Sequence, residues 1–513
     1  MERPTNTDAR RWLRRSSMFI CGFFLTVAAP ARADDTHYQN QLIGERALGM
    51  GGAFTAVASD PTASFYNPGG LATTPSSSVS ASLNLYGVEH RVVKGGLLSY
   101  ISGEPATADL EATAYPTIPT TFGVLRTFGE QFPDGTRRHA LAFSMLIPDQ
   151  TSYAYDATVG TSGETDLDVF HLSETDRTLW IGPSYAVRIT PDLAVGVSAF
   201  VAMRNWSRSY SHSQETPTLP PVVPPTSDYF WLERVDTSFD SFELLFRLGA
   251  LWQPLPDFRV GLTIGFPSLH VWGDGSLSSQ FTYAWFDPPP AYGDVRFESV
   301  SGLPAESFSP LEVRTGLAWI PSPELLIALD ISYHLPTLHP YERVHLWQED
   351  RARLQFDDLF TSAVTRREVI NINAGFEWLI AGKWPVRAGV FTNLSSAPDL
   401  SASAAGLERV DILGGTLSVG YQFASFTLNF GFLGSAGWGK AQAYDLRGGT
   451  LAYVERDARY ELFYFFLSGA QRIVTQTLET WIEAAPEESG TAAPIPAEPP
   501  MSDVPPAPPP ADG

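Results

Sequence analysis

The sequence is almost without cysteine: among its 513 residues, Cys21 is the only one. Residues 1–33 read as a secretory signal peptide, with a basic start, a short apolar stretch and a small-residue cleavage motif at 31–33. Its adjacent arginines also fit a twin-arginine signal. Because Cys21 lies inside this segment, the mature chain has no cysteine. Disulfides, thiolate metal sites and cysteine nucleophiles are therefore excluded.

Charged residues are also scarce at 18%, and basic ones are outnumbered, with 34 Lys and Arg against 56 Asp and Glu. The formal net charge of -22 argues against a nucleic-acid partner, because acidic surfaces repel phosphate backbones. No apolar run of about 18 residues follows the signal, which excludes helical membrane spans. A membrane protein that crosses with strands remains compatible with this composition.

Motifs that carry catalytic chemistry are missing too. There is no Gly-x-Ser-x-Gly elbow, no His-Glu-x-x-His, no Walker loop and no EF-hand spacing, and the histidines form no metal-type cluster. We therefore predict a protein that is not an enzyme, with no catalytic residues, no metal and no cofactor.

What the sequence does contain, from residue 78 to about 470, is alternation with a period of two. In 325–333 the odd positions are Leu, Ile, Leu, Ile and Tyr, whereas the even positions include Ala, Asp and Ser. Segments of about 9–12 residues with one apolar and one polar face are typical of tilted strands in a membrane. We predict an all-β fold, a transmembrane antiparallel β-barrel of about 14 strands, with weaker alternation at 94–101 and 276–300.

The connections between these segments differ at the two ends of the predicted barrel. Tight turns join many pairs, whereas the stretches 214–228, 267–310 and 335–366 read as long loops. Short turns at one rim and long loops at the other are typical of outer-membrane barrels. Aromatic residues near strand ends are expected at the membrane interfaces; these are Trp252, Trp319, Tyr333 and Trp378.

Residues 34–77 precede the first strand and do not alternate. They are rich in glycine, yet carry too many large apolar side chains for the alternative reading, a disordered linker. A barrel of about 14 strands has a lumen wider than its own side chains can fill. We therefore expect this segment to form a plug inside the lumen.

Three short motifs in this segment make the sequence familiar. GERALGMGGAF at 44–54, SDP at 59–61 and FYNPGGL at 65–71 resemble the plug, or hatch, of the FadL-like outer-membrane transporters. Strand segments at 259–262 and 313–318 are similar too, so the resemblance covers about residues 40–470. It implies a plugged barrel in the outer membrane of a Gram-negative bacterium. It also implies passive uptake of long-chain fatty acids or aromatic hydrocarbons, which leave sideways through a strand kink into the membrane.

The chain departs from the family pattern at two places. The family usually has Asn-Pro-Ala where this chain has Asn67-Pro68-Gly69. Family members also commonly end at the last strand, whose terminal aromatic residue is recognised by the barrel-assembly machinery. Here the predicted barrel, 78–470, is followed by a short extension at 471–484 that could form a helix. An acidic, Pro- and Ala-rich tail, predicted to be disordered, occupies 485–513.

Two groups of residues are candidates for function. Plug residues expected to bind substrate or gate the lumen are Phe54, Phe65, Tyr66, Asn67, Pro68 and Gly69. Inward arginines that could contact a substrate carboxylate, or instead pair with lumen Asp and Glu, are Arg188, Arg247, Arg259, Arg314 and Arg387.

The pattern thus indicates a monomeric outer-membrane channel for passive uptake of hydrophobic compounds. Its expected partners are hydrophobic small molecules, outer-membrane lipid and, during biogenesis, the barrel-assembly machinery. The alternative is a barrel without transport that anchors or scaffolds surface or secretion partners. An apolar cavity between the loops and the plug would favour the channel, and a solid lumen the scaffold.

Overall fold

The computed structural model describes residues 36–101, 104–115, 121–160, 167–216, 229–285, 292–337, 340–347, 364–400, 408–446 and 452–472. The predicted signal peptide and the predicted tail lie outside the described residues, as does all of the extension after residue 472.

Seventeen strands make up most of the described chain. They are β1 Ser78–Ile101, β2 Glu104–Ala114, β3 Thr121–Gln131, β4 Arg137–Gly160, β5 Leu167–Thr190, β6 Leu193–Thr216, β7 Tyr229–Leu255, β8 Phe258–Gly265, β9 Leu269–Trp285, β10 Tyr292–Pro304, β11 Glu312–Ser322, β12 Leu325–His334, β13 Val369–Ile380, β14 Trp384–Asn393, β15 Glu408–Gln422, β16 Phe426–Asp445 and β17 Ala452–Arg472.

Antiparallel ladders close these strands into a barrel. The ring runs from β1 through β3 to β8 in order, crosses from β8 to β11, and continues through β12 to β17, which pairs with β1. Fourteen strands take part in this ring, which agrees with the predicted count. Closure leaves no sheet edge to be satisfied at membrane depth.

The remaining strands extend the wall at the end that carries the long connections, called here the loop end. β2 pairs with the second half of β1, β9 with the first half of β7, and β10 with β9. The stretch 267–310, predicted as a long loop, is therefore mostly a strand hairpin. Serines at 276, 278, 299 and 301 interrupt its apolar face, which is why the sequence pattern there is weak.

The outer surface of the ring is apolar. On β12, Leu329, Ile331 and Tyr333 are 38%, 44% and 37% exposed, whereas Asp330 and Ser332 between them are buried. Trp252, Trp319 and Trp378 are exposed at the opposite end, beside the tight turns. This apolar belt with aromatic residues at its ends is the surface that a lipid bilayer covers. Within the described ranges, no helix has the length and apolarity to cross a membrane.

Residues 36–77 fill the lumen, as predicted, and are called the plug below. They form two short helices, α1 at Glu45–Gly49 and α2 at Ala63–Tyr66, and a 3₁₀ helix at Pro68–Thr73. Their large apolar side chains are buried; Phe54, Leu48 and Met50 are at most 1% exposed. The plug therefore packs as a core element between strands from opposite sides of the barrel.

Candidate functional site

Three pairs of glycines on the inner wall receive the plug. Gly196 lies directly opposite Gly249, Gly261 opposite Gly316, and Gly375 opposite Gly389. A Cβ added at Gly389 would lie 2.2 Å from the carbonyl carbon of Met50, and one at Gly261 would lie 2.3 Å from Thr55 O. Since these distances leave no room for a side chain, plug backbone and wall backbone are in direct contact at three points around the ring.

The corner at Asn67 is held at the first of these pairs. Asn67 is extended, with φ -159° and ψ 98°, which agrees with the restriction that Pro68 places on the preceding residue. Its side-chain amide donates to Thr55 O and to Ala250 O, both at 2.9 Å, and its oxygen accepts from Gly69 N at 3.1 Å. One side chain thus joins two parts of the plug to strand β7.

Gly69 explains the departure from Asn-Pro-Ala in this corner. A Cβ on Gly69 would lie 3.0 Å from Ala194 O and 3.1 Å from Gly249 O. An alanine there would require the wall strands β6 and β7 to move apart slightly. Glycine at 69 therefore fits the close approach of this plug to this wall.

Asp330, on the inner face of β12, holds the next turn of the plug. One of its oxygens accepts from Phe54 N at 2.9 Å, Thr55 N at 2.8 Å and Thr55 Oγ1 at 2.6 Å. Three donors on one carboxylate oxygen fix residues 54 and 55 against the wall.

A charged cluster holds the plug at the turn end. Arg46 makes a two-pronged bond to Glu377 at 2.8 and 2.9 Å, and Arg387 binds the same carboxylate at 2.5 Å. Asn429 bridges Arg387 to Glu45, donating to the Glu45 carboxylate. Burial raises the pKa of Glu45 to about 7, although the nearby Arg387 opposes this shift.

On the loop side of α2, a cavity of about 140 Å³ separates the plug from the wall. Phe65 forms its plug side, and Trp180 and Leu245 contribute apolar surface from β5 and β7. The Phe65 and Trp180 rings are 5.5 Å apart. Arg247 borders the cavity beside Phe65. Its guanidinium lies 4.5 Å from the Phe65 ring centroid and donates to Phe65 O. The cavity thus combines an aromatic floor with a border of charged side chains of both signs; these are Asp149, Glu243, Glu312, Arg204, Arg247, Arg314 and Arg366.

The predicted inward arginines are mostly paired with carboxylates. Arg247 and Arg314 both bind Glu312, the latter at 2.8 Å, and Arg387 binds Glu377. Arg188 binds Asp134 at 2.6 Å beside a tight turn.

Arg259 instead donates to Gln253 at 3.2 Å. Of the five predicted arginines, Arg247 and Arg314 line the cavity; Arg204 and Arg366, which were not predicted, line it as well. Contact between any of the five arginines and a substrate carboxylate stays a prediction.

The candidate plug residues divide between two places. Phe65 faces the cavity, whereas Asn67, Pro68 and Gly69 lie against the glycine pair of β6 and β7. Phe54 and Tyr66 pack edge to face at 5.4 Å in the plug interior, and Tyr66 Oη accepts from Ile43 N at 3.0 Å. Burial raises the pKa of Tyr66 to about 12.

Several residues of this site were not predicted. Asp330 and Glu312 lie on the polar face of alternating strands, which marks them as inward but not as plug or arginine partners. Trp180 and Leu245 also carry no local signal. Their role depends on which strands face the plug.

The geometry defines a class: a plugged transmembrane β-barrel with a small cavity on the loop side of its plug. Comparison with solved structures shows which known barrels share this fold. The chain is similar to a Pseudomonas aeruginosa FadL homologue, with 14% identity, 86% of this chain and 100% of the other covered, and a TM-score of 0.55. It is also similar to the P. putida toluene transporter TodX, with 12% identity, 85% and 99% covered, and a TM-score of 0.52.

The Ralstonia pickettii toluene transporter TbuX matches at 14% identity, with 85% of this chain and 100% of the other covered and a TM-score of 0.50. No family model and no curated protein matches the sequence. The fold is therefore that of the FadL-type barrels, as the resemblance in the plug implied. Its apolar belt is the surface that a membrane covers in a barrel of this kind.

Proposed function

We propose that this protein is a channel for passive uptake of neutral hydrophobic compounds about the size of a monoaromatic hydrocarbon. The cavity against Phe65, Trp180 and Leu245 carries the proposal. Its volume of about 140 Å³ is close to that of an engineered apolar cavity of about 150 Å³ that binds benzene. Solved barrels of this fold are described as toluene transporters, which supports the same substrate class. No covalent step is needed.

A neutral substrate fits this cavity better than a free carboxylate does. Of the four arginines that line the cavity, Arg247 and Arg314 already share the carboxylate of Glu312, and Arg204 binds Asp176. A carboxylate substrate would have to displace Glu312 and leave it buried without its partners, which costs several kcal/mol. A hydrocarbon needs only the aromatic floor.

Passage beyond the cavity requires a path past the plug. The ladder between β3 and β4 ends at Phe122–Met145, and β4 shifts register against β5 between Leu146 and Asp149. Asn40 of the plug donates to Asp149 at 2.9 Å at this irregularity. We propose that substrate leaves here, sideways through the kinked strand, when the Asn67 corner shifts.

The test is the initial rate of toluene uptake by a Gram-negative host that lacks its own hydrocarbon channels. Expression of the chain should raise the rate. Leu245→Asn places a polar group in the cavity at a cost of about 1–3 kcal/mol, and should lower uptake by roughly 5- to 150-fold. Leu245→Met, which conserves volume, is the matched control and should retain most of the rate.

Both variants should remain heat-modifiable, which reports an intact barrel. Equal toluene uptake with and without the chain would overturn the proposal and favour the scaffold alternative. Equal uptake by Leu245→Asn and Leu245→Met would show that the cavity is not on the path.

A further inference from the structure

The hydrogen-bonded wall of the barrel is interrupted between two chain segments. The ascending chain runs from β8 into β9 toward the loop end, and the descending chain returns from β10 into β11. The β8–β11 ladder ends at Gly265–Glu312, and the β9–β10 ladder begins again at Asp274–Pro304. All residues of this stretch belong to the described part of the chain. Across it, Ser268 N donates to Ser309 O at 3.0 Å, and Ser309 N donates to the side-chain oxygen of Ser268 at 2.9 Å, so one backbone–backbone bond joins the two chains there.

The descending chain turns into the lumen where the ladder is missing. Ser307 is buried. Its hydroxyl bonds to Ser241, at 2.9 Å, and to Glu243, which are both buried residues of β7. Glu306 N donates to Arg343 O at 3.1 Å instead of to β9. The wall between the two chains is therefore recessed, not merely irregular.

The rim of this recess is apolar and exposed. Phe266 is 40% exposed, Phe308 37% and Leu269 57%. The same stretch also carries His270, which is exposed, and Glu306, which is half-buried, so the apolar rim is confined to these three positions. It thus offers a surface that a hydrocarbon wets more readily than water does.

The recess opens into the cavity against the plug. Phe266, Phe308 and Pro310 line that cavity together with Phe65 and Trp180. The same space is therefore bordered by exposed residues of the wall and by buried residues of the plug.

The height of the recess is given by the register of neighbouring strands. Val313, the residue after Glu312, lies opposite Tyr333, the aromatic residue at the loop end of the apolar belt. Tyrosines at this position mark the membrane interface. The recess therefore begins where the hydrocarbon core ends on the loop side.

We propose that this recess is a side entrance through which neutral hydrocarbons that have partitioned into the outer leaflet reach the cavity. It is separate from the irregularity of β4, which we assign to exit. The proposal rests on the proposed function, and it adds the membrane itself as the source of substrate. The three apolar residues of the rim favour uncharged hydrocarbons, which have no polar head group to be recognised.

A reversible disulfide tests the entrance. Because residues 34–513 contain no cysteine, Ser268→Cys/Ser309→Cys introduces one defined pair at the point where the two chains are bonded. The two bonds between Ser268 and Ser309 hold these residues close together, and disulfides join residues whose Cα atoms are about 4.4–6.8 Å apart. The matched control is Leu317→Cys/Leu329→Cys, a directly opposed pair on the continuous β11–β12 ladder.

Oxidation of the 268/309 pair should lower the initial rate of toluene uptake by about tenfold, equivalent to an added barrier of about 1.4 kcal/mol, and reduction should restore it. Oxidation of the control pair should leave the rate unchanged. If the oxidised 268/309 variant transports toluene as fast as its reduced form, the entrance is not used. If the unmodified chain imports no toluene, the proposed function itself fails.

A second measurement decides the geometry without transport. A nitroxide attached to Ser309→Cys in lipid vesicles should be relaxed by dissolved oxygen, which concentrates in the bilayer, about as strongly as one attached to Tyr333→Cys, which lies at the level where the recess begins. Stronger relaxation by a water-soluble nickel complex, or protection from both reagents, would show that the recess is closed to the membrane and would overturn the proposal.

Discussion

Replacing Gly249 by alanine should loosen the plug without opening the barrel. The new Cβ would lie 2.3 Å from Asn67 Oδ1, 2.6 Å from Pro68 Cδ and 2.7 Å from Pro68 N. Ordinary contacts between such atoms are near 3.5 Å, so the Asn67 corner must move by about 1 Å. The barrel ladder should persist, because alanine retains the backbone N–H and C=O groups of Gly249.

The magnitude follows from two costs. Overpacking of a filled site costs about 1–3 kcal/mol. Displacement of Asn67 also weakens its bonds to Thr55, Ala250 and Gly69, each worth about 1 kcal/mol. Because part of this loss relieves the overpacking, we expect a total of about 2–4 kcal/mol, or roughly 30- to 900-fold more frequent plug opening.

Hydrogen exchange read out by peptide mass spectrometry measures this effect. Peptides from residues 36–77 should exchange faster in Gly249→Ala, while β-strand peptides keep their protection. Gly415→Ala is the control, because its Cβ would meet only Gly389 O, at an ordinary 3.6 Å. Plug protection in Gly249→Ala equal to that in Gly415→Ala would refute the view that paired glycines seat the plug.

Two further predictions concern groups inside the plug. Asn67→Ala should change the rate of toluene uptake, because Asn67 joins the plug to β7 without contributing to the ladder. The variant should keep its surface abundance and its heat-modifiability. An unchanged uptake rate would show that the corner is a purely structural anchor. Docking of the plug should also depend on pH through Glu45, whose pKa in the folded protein is about 7, raised from 4.5 by burial. A raised carboxyl pKa means that stability is fully present below about pH 4.5 and is lost as the pH rises through about 7, so a protease active at both values should cut the plug more readily at pH 8 than at pH 5. Glu45→Gln should remove this difference, and its persistence in that variant would assign the dependence to another group.

The crossing strands were predictable because lipid and lumen impose opposite demands on alternate residues. The alternation in 325–333 survives in the structure as exposed and buried positions of β12. The hairpin of β9 and β10 extends beyond the apolar belt, so its serine-rich strands lack that constraint and alternate only weakly in sequence. The extended conformation of Asn67 was predictable from Pro68 alone.

The sequence predicted where the plug lies, but not which wall residues contact it. Its apolar, glycine-rich composition predicted burial in the lumen. Two of the three glycine pairs, by contrast, join residues more than 50 positions apart, such as Gly196 and Gly249, and only the register of folded strands brings them together. The carboxylate partner of Arg314 is closer in sequence, since Glu312 lies two residues away on the same face of β11.

The most direct test of the channel is a crystal structure of the protein soaked with bromobenzene. The account predicts an anomalous bromine signal in the cavity between Phe65, Trp180 and Leu245, with the ring against the aromatic floor. A second, weaker signal near Phe266 and Phe308 would mark the entrance. Absence of bromine from the cavity, in a protein that accelerates bromobenzene uptake by cells, would contradict the account, because the substrate would then cross by a path that avoids the plug.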